Sequence, residues 1–412
     1  MKSYLIFVIN FHFHSHRFFN HDLIVSVFIE ILVVHASAST PILSYQIGEA
    51  MRLKLWAGAV VTGLLLTACG GGGESSDAGT ESNEGGAAVP TTMLLSYQES
   101  IYWLPLLMAK DQGYFAEEGV DLTVEATEGS GFVTQQVIAG NVDFGWAGAA
   151  DSVIAYSKDD QIRALICNPP QNIFRIVVAE SSPIQEFADL KGKVLGITEA
   201  GGGEEPIVDA ALGDIGYQRD VDVTVLPIGA AGPQSLLAIQ DGTVDAYASS
   251  YPDISTLTAQ GLVTRDITPE KFNAIPGDCL ITRQSVLEDP AKVQALVGIM
   301  RAWAKGAAFA EANPVKALDI SCQIVPQECT DAVFAEQYLA DTLALAKQAD
   351  PAAPFGSVTQ EAWQTTADLL FSSGTISEKL DVTSMVTGAQ ISEAITEYVN
   401  FDKAAVESAA KS

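Results

Sequence analysis

Ile138-Ala139-Gly140-Asn141-Val142-Asp143-Phe144 and Ile239-Gln240-Asp241-Gly242-Thr243-Val244-Asp245-Ala246 follow one pattern: helix end, glycine stop, x-Val-Asp, strand. Each follows a glutamine-bearing helix (Gln135-Gln136 and Gln234), and each strand runs out in small residues, Ala147 to Ala150 and Ser249-Ser250. A C-terminal glycine at positive φ explains each copy locally. Two copies place one such unit in each of two lobes. In open α/β sheets ligands sit beyond the carboxyl ends of the strands, so the two tails are expected to face one cleft.

The surrounding chain supports that reading. Met93-Leu94-Leu95 is expected to start a strand, followed by a helix over Trp103–Tyr114, a strand over Val120–Ala126, a helix over Phe132–Ala139 and a strand over Val142–Trp146. The alternation repeats with a strand at Lys193–Thr198, a helix through Leu212 and strands at Val221–Leu226 and Val244–Ala248 around the helix Gln234–Gln240. Such alternation predicts mostly parallel sheets. From Ser285 the pattern becomes helical: Ser285–Ala312, Pro314–Ile324, Asp331–Ala349, Gln360–Ser372 and Ser392–Phe401.

The amino-terminal part has a different character. Arg52 and Lys54 precede a twelve-residue apolar core, Leu55–Leu66, which ends in Leu66-Thr67-Ala68-Cys69-Gly70. That core is well short of the ~20 residues of a membrane-spanning helix. The arrangement resembles a bacterial lipoprotein export signal, with residues 51–68 removed and Cys69 lipidated. Met51 stands where such a signal begins, so residues 1–50 read as an upstream mis-start. Residues 69–90, rich in Gly, Ser, Glu and Ala, read as a flexible tether. All five histidines lie in the first fifty residues, so no Ser-His-Asp triad and no histidine-bound metal can come from the chain beyond Cys69.

Charge narrows the classes further. The chain carries a net −29; residues 1–68 hold four basic and three acidic residues, which leaves −30 on residues 69–412. That surface repels phosphate backbones, and nucleic acid is not an expected partner. Four cysteines remain after Cys69. Cys322 and Cys329 enclose a short loop between helices and are expected to form a local disulfide. Cys167 and Cys279 are left either as a second bridge or as buried free thiols.

Several motifs in sequence order resemble the extracytoplasmic solute-binding proteins of ABC importers, in the group of sulfonate, nitrate and thiamine-pyrimidine binders (SsuA/THI5-like, NMT1). They are Leu107-Met108-Ala109-Lys110-Asp111-Gln112-Gly113-Tyr114-Phe115-Ala116-Glu117-Glu118-Gly119-Val120-Asp121-Leu122, then Ala139-Gly140-Asn141-Val142-Asp143-Phe144-Gly145. Phe187-Ala188-Asp189-Leu190-Lys191-Gly192-Lys193-Val194-Leu195-Gly196 and Gly242-Thr243-Val244-Asp245-Ala246 follow. The resemblance implies a type II periplasmic-binding-protein fold: two α/β lobes on a two-crossing hinge, with a helical C-terminal part. It divides the chain into lobe I, residues 91–178 with 279–412, and lobe II, residues 179–278. The crossings would lie near Phe174–Glu180 and Cys279–Arg283, which favours a Cys167–Cys279 bridge.

The resemblance also implies a small-molecule solute, an ABC permease partner with its cytoplasmic ATPase, and a monomer with neither catalysis, cofactor nor metal, while the export signal implies an extracytoplasmic place at the membrane, held there by lipid. No Gly-x-x-x-x-Gly-Lys-Ser/Thr loop is present for the chain to hydrolyse ATP itself. Alternatives are a sensor subunit, or an enzyme like the family's pyrimidine-precursor synthases, whose cysteine-rich iron motif and substrate histidine are missing here. By family position the ligand would meet Tyr97, Gln98, Glu99, Tyr102 and Trp103, then Ser130, Gly131, Trp146, Ala147, Gly148 and Asn172. The second lobe would add Gly201, Gly202, Gly203, Glu204, Ser249, Tyr251 and Asp253. Trp146 could equally be core, and the glycine run could be a plain turn rather than an anion cradle, since Glu204 and Glu205 already answer the helix dipole. The nearest cations, Arg163 and Arg175, lie on none of these loops. That balance favours a neutral or cationic heterocycle over a sulfonate or nitrate.

Overall fold

The computed structural model describes residues 88–412, apart from 128 and 349, and the backbone of three strands further upstream. Those strands, Ile6–His16, Ile24–Val34 and Tyr45–Gln46, form an antiparallel sheet in a unit of its own. Cys69, the apolar core before it and most of the tether lie outside the described residues. The rest of this section concerns the unit Ser82–Ser412.

Ten strands build two five-stranded sheets. The first contains β1 (Val89–Leu95), β2 (Val120–Ala126), β3 (Phe144–Gly148), β4 (Ile162–Cys167) and, much later in the chain, β10 (Asp278–Arg283), in the order β2-β1-β3-β10-β4. The second contains β5 (Phe174–Ala179), β6 (Val194–Ile197), β7 (Thr224–Pro227), β8 (Ala246–Ser250) and β9 (Thr264–Asp266), in the order β7-β6-β8-β5-β9. The repeated unit of the sequence supplies β3 and β8, which occupy the same third place in their sheets. Gly140 and Gly242 stop the helices before them at φ +71° and +76°.

Four expectations need correction. The sheets are mixed rather than mostly parallel, because β5 and β10 run antiparallel to their neighbours. Each arrives from the other sheet, so it starts at the facing edge where the parallel strands end. The chain passes between sheets at 168–173 and 267–277, earlier than Phe174–Glu180 and Cys279–Arg283, so β5 belongs to the second sheet. The tether also ends sooner: Val89 and Pro90 already pair with Val120 and Asp121. At Pro90 the strand has β2 on one side only, because β3 joins at Met93, and a proline without N–H is tolerated there. Met93-Leu94-Leu95 accordingly ends β1 instead of starting it.

The helices expected from apolar spacing are present, with ends set by local chemistry, and Ala149–Lys158, Tyr251–Ala259 and Lys403–Lys411 add helices that were not expected. The helix expected over Trp103–Tyr114 is a 3-10 turn, Ile101–Trp103, a helix Leu104–Asp111, and a short turn Tyr114–Glu117 after Gly113 at φ +74°. Asp289 caps the long helix Pro290–Ala312, accepting from the Ala291 and Lys292 N–H groups, and Pro314–Ile324 follows immediately. The core of the first sheet is centred on Trp103, Trp146 and Trp303, all fully buried, with Trp146 stacked on Trp303 at 4.5 Å. The C-terminal helices Ala332–Leu345 and Gln360–Ser372 reach across to Tyr251–Ala259 and Glu205–Asp214 of the second half. Disulfides join Cys322 to Cys329 and Cys167 to Cys279, the latter tying the end of β4 to β10 beside the points where the chain changes sheets.

Candidate functional site

The loops after β1, β2, β6, β7 and β8 and the starts of the antiparallel strands β5 and β10 line one cavity of ≈ 430 Å³ between the sheets. Ser96, Tyr97, Gln98 and Tyr102 enter it after β1, and Thr127, Gly129 and Ser130 after β2. Thr198, Glu199 and Gly202 to Glu204 follow β6, Ala230 and Ala231 follow β7, and Ser250, Pro252 and Asp253 close β8. Ile173 with Phe174, and Asp278, mark the starts of β5 and β10. A volume of this size suits a small organic molecule.

Of the positions named from sequence, Tyr97, Gln98, Tyr102, Ser130, Gly202, Gly203, Glu204 and Asp253 line the cavity. The others do not. Glu99 turns outward to an ion pair with Lys110. Trp103 and Trp146 are spent in the tryptophan core, because a strand end flanked by helices leaves no opening beside them. Ala147 is buried, and Gly148 acts indirectly, its N–H donating to Ser130 Oγ at 2.9 Å. Asn172 is a buried brace, donating to the Phe272 carbonyl and accepting from the Phe174 N–H, both at 3.0 Å. Ser249 donates to Asp253 Oδ2 at 2.7 Å, and the Tyr251 ring packs 6.3 Å from Tyr338. Gly131 and Gly201 meet each other across the cavity mouth, the Gly131 N–H donating to the Gly201 carbonyl at 3.2 Å. Gly203 touches the Phe174 ring so closely that a Cβ there would sit 2.4 Å from it.

The electrostatics are one-sided. Glu199, Glu204, Asp253 and Asp278 line the cavity and no lysine, arginine or histidine does. Arg175 pairs with Asp266, and Arg163 is bonded to Gln284 and local carbonyls, both away from it. Glu204 accepts from the Thr198 N–H and hydroxyl, yet burial still raises its pKa to about 7. Asp278 Oδ2 accepts from Tyr102 Oη at 3.0 Å and Ser96 Oγ at 3.4 Å, while burial lifts its pKa to about 6. Asp253 is also raised by burial, against donors from Ala231, Ser249 and Ser250. Behind Ser130, burial, then Glu204 and Asp278, push Asp151 well above the carboxylate range. Among the described residues no cluster of histidine, cysteine or carboxylates is arranged to hold a metal.

Asp278, Thr198, Phe174 and Ser96 were missed from sequence. Thr198 and Ser96 directly follow strands, the one signal that could have found them. Asp278 carries no such mark, because it begins a strand instead of ending one.

Comparison with known proteins agrees with this architecture. A riboflavin-binding protein, RibY, of Chloroflexus aurantiacus is 23% identical over 348 residues, covering 82% of this chain and 97% of that one. A 4-amino-5-hydroxymethyl-2-methylpyrimidine phosphate synthase of Legionella pneumophila is 26% identical over 247 residues, 57% of this chain and 74% of the enzyme. The solved alkanesulfonate-binding protein SsuA from Xanthomonas axonopodis pv. citri, bound to MOPS, superposes with a TM-score of 0.56 at 17% identity, covering 73% and 99% of the two chains. Residues 100–317 match the family described as NMT1/THI5 like. A periplasmic-binding-protein fold with its cavity between two sheets, and a family match over more than half its length, make this chain a member of the NMT1/THI5-like family.

Proposed function

We propose that this chain is the solute-binding subunit of an ABC importer, without catalytic activity of its own. The observation that carries the reading is the cavity itself, into which both sheets send their strand ends. Solute entering it touches both halves, and its extra contacts favour the closed form that a permease would recognise. The halves hinge about residues 168–173 and 267–277, the two places where the chain changes sheets. The permease hands the solute on at the expense of a cytoplasmic ATPase. The protein works outside the cytoplasm as a monomer, anchored to the membrane through lipid on Cys69. The solute is a small heterocycle, with the RibY and pyrimidine-synthase relatives supporting that class over sulfonate or nitrate.

The synthase relative favours a second reading, an enzyme. Against it stands the lack of any histidine after His35, since a histidine is what such enzymes consume in the family this chain resembles. Isothermal titration and thermal melting with flavins and aminopyrimidines, run beside a turnover assay, separate the two readings. Saturable binding with no product is the expected result, and a solute at 100 times its Kd should raise Tm by about 4 °C in a chain of this size. Turnover without stoichiometric binding overturns the proposal.

A further inference from the structure

Asp278 is the most telling group in the cavity. Its side chain is 3% exposed and lines the cleft. One carboxylate oxygen is held by Tyr102 and Ser96, but the other, Oδ1, is buried with no hydrogen-bond partner. Buried carboxylate oxygens rarely stay unsatisfied, because desolvation is not repaid. Three more carboxylates, Glu199, Glu204 and Asp253, border the same space, and among the described residues no cationic side chain lines it. Glu204 and Asp253 have their own donors from Thr198, Ala231, Ser249 and Ser250. Among the described residues two buried carboxylate oxygens lack a donor, Asp151 Oδ2 and Asp278 Oδ1, and of the two residues only Asp278 lines the cavity. Tyr97, Tyr102 and Phe174 line the same cavity.

We infer that the cleft selects a solute carrying a positively charged nitrogen, such as a protonated amine, an amidinium or a cationic heterocycle, with the Asp278 carboxylate as its charge partner. This rests on the solute-binding reading above and adds the sign of the ligand's charge. A positive charge offsets the cost of a buried carboxylate that is only half satisfied and meets the surplus of acids around it, and aromatic side chains line the same space. An anion would meet four carboxylates and no counter-charge within the lining. Raised pKa values at Asp278 and Glu204 agree, since burial without a cation disfavours their charged forms. The other titratable groups facing this space, Tyr102 on the loop after β1 and Asp151 behind Ser130, add no positive charge.

The test uses the intact chain at pH 8 with two probe sets. Benzamidine, agmatine and thiamine are the cations; benzoate, methanesulfonate, nitrate and riboflavin are the anionic and neutral counterparts. Titration calorimetry is expected to show binding within the cationic set, weakened about 100-fold by Asp278→Asn, the scale for removing one partner of a buried charge pair. Thermal melting of the same variant checks that it folds. Glu204→Gln is the second variant, expected to weaken cation binding by a smaller factor. Saturable binding confined to the anionic or neutral set, or cation binding that neither variant changes, overturns the inference and leaves the solute-binding reading standing. Binding by neither set overturns both.

Discussion

At the scale of single residues, the site is a set of buried acids whose protonation is linked to folding. Asp278 and Glu204 titrate at about 6 and about 7, above their usual 3.8 and 4.5. The folded chain therefore keeps protons that the unfolded chain has already lost. Their stabilising contribution is complete below about pH 4 and disappears as pH rises through 6 and 7. The groups facing them, Tyr102, Ser96 and Asp151 for Asp278, and Thr198, Asp253 and Asp151 for Glu204, include no cation to reverse the sign. Urea melts of the ligand-free chain should show stability falling between pH 5 and pH 8, and Asp278→Asn should flatten part of that slope by on the order of 1–2 kcal/mol. Affinity for a cationic probe should run the opposite way, rising over the same interval. This chemistry was only half legible beforehand. Glu204 and Asp253 follow strands and could be anticipated, whereas Asp278 reads in sequence as one more acid after Pro276-Gly277. Trp103 and Trp146 misled for a plain reason: a tryptophan near a strand end fills core as readily as it walls a pocket.

At the scale of elements, the loops at the mouth decide how closely the halves approach. Gly131 is the second residue of the helix Ser130–Ala139, and its N–H bonds directly to Gly201 on the opposite side. A Cβ at Gly131 would lie 3.0 Å from the Gly201 carbonyl oxygen, so a branched side chain there acts as a wedge. Gly131→Val should weaken solute binding about tenfold while melting within a few degrees of the parent, since the atoms nearest an added Cβ all belong to Gly201 and none to the core. Small-angle scattering should show a larger radius of gyration for that variant with solute present. An unchanged affinity would mean that this contact is incidental to closure. Strand and helix positions were largely readable: β2, Pro314–Ile324 and Gln360–Ser372 match their sequence patterns residue for residue. The reversed strands β5 and β10 were not: those segments read as chain crossings and not as strands, and periodicity says nothing about a strand's direction in any case.

At the scale of the whole molecule, the repeated helix–glycine–Val-Asp–strand unit announced two halves, and charge announced what surrounds them. The chain carries 51 acidic against 22 basic residues, a net of −29. Much of that charge lies on exposed faces, where it has no single partner, but its summed potential falls off over a Debye length of about 8 Å at physiological salt. A cleft lined by four carboxylates concentrates that field at its opening. If the solute is cationic, the field does two separable things: it hastens the approach, and it holds the bound charge. Salt screens the first far more than the second, because the contact at Asp278 is buried. Stopped-flow measurement of the cationic probe that binds should therefore show the association rate constant falling about tenfold between 10 mM and 500 mM salt, with dissociation nearly constant. A neutral probe should show neither change. Equal salt sensitivity in both rate constants would place the recognised charge at the exposed rim, outside the cavity where Asp278 waits for a partner.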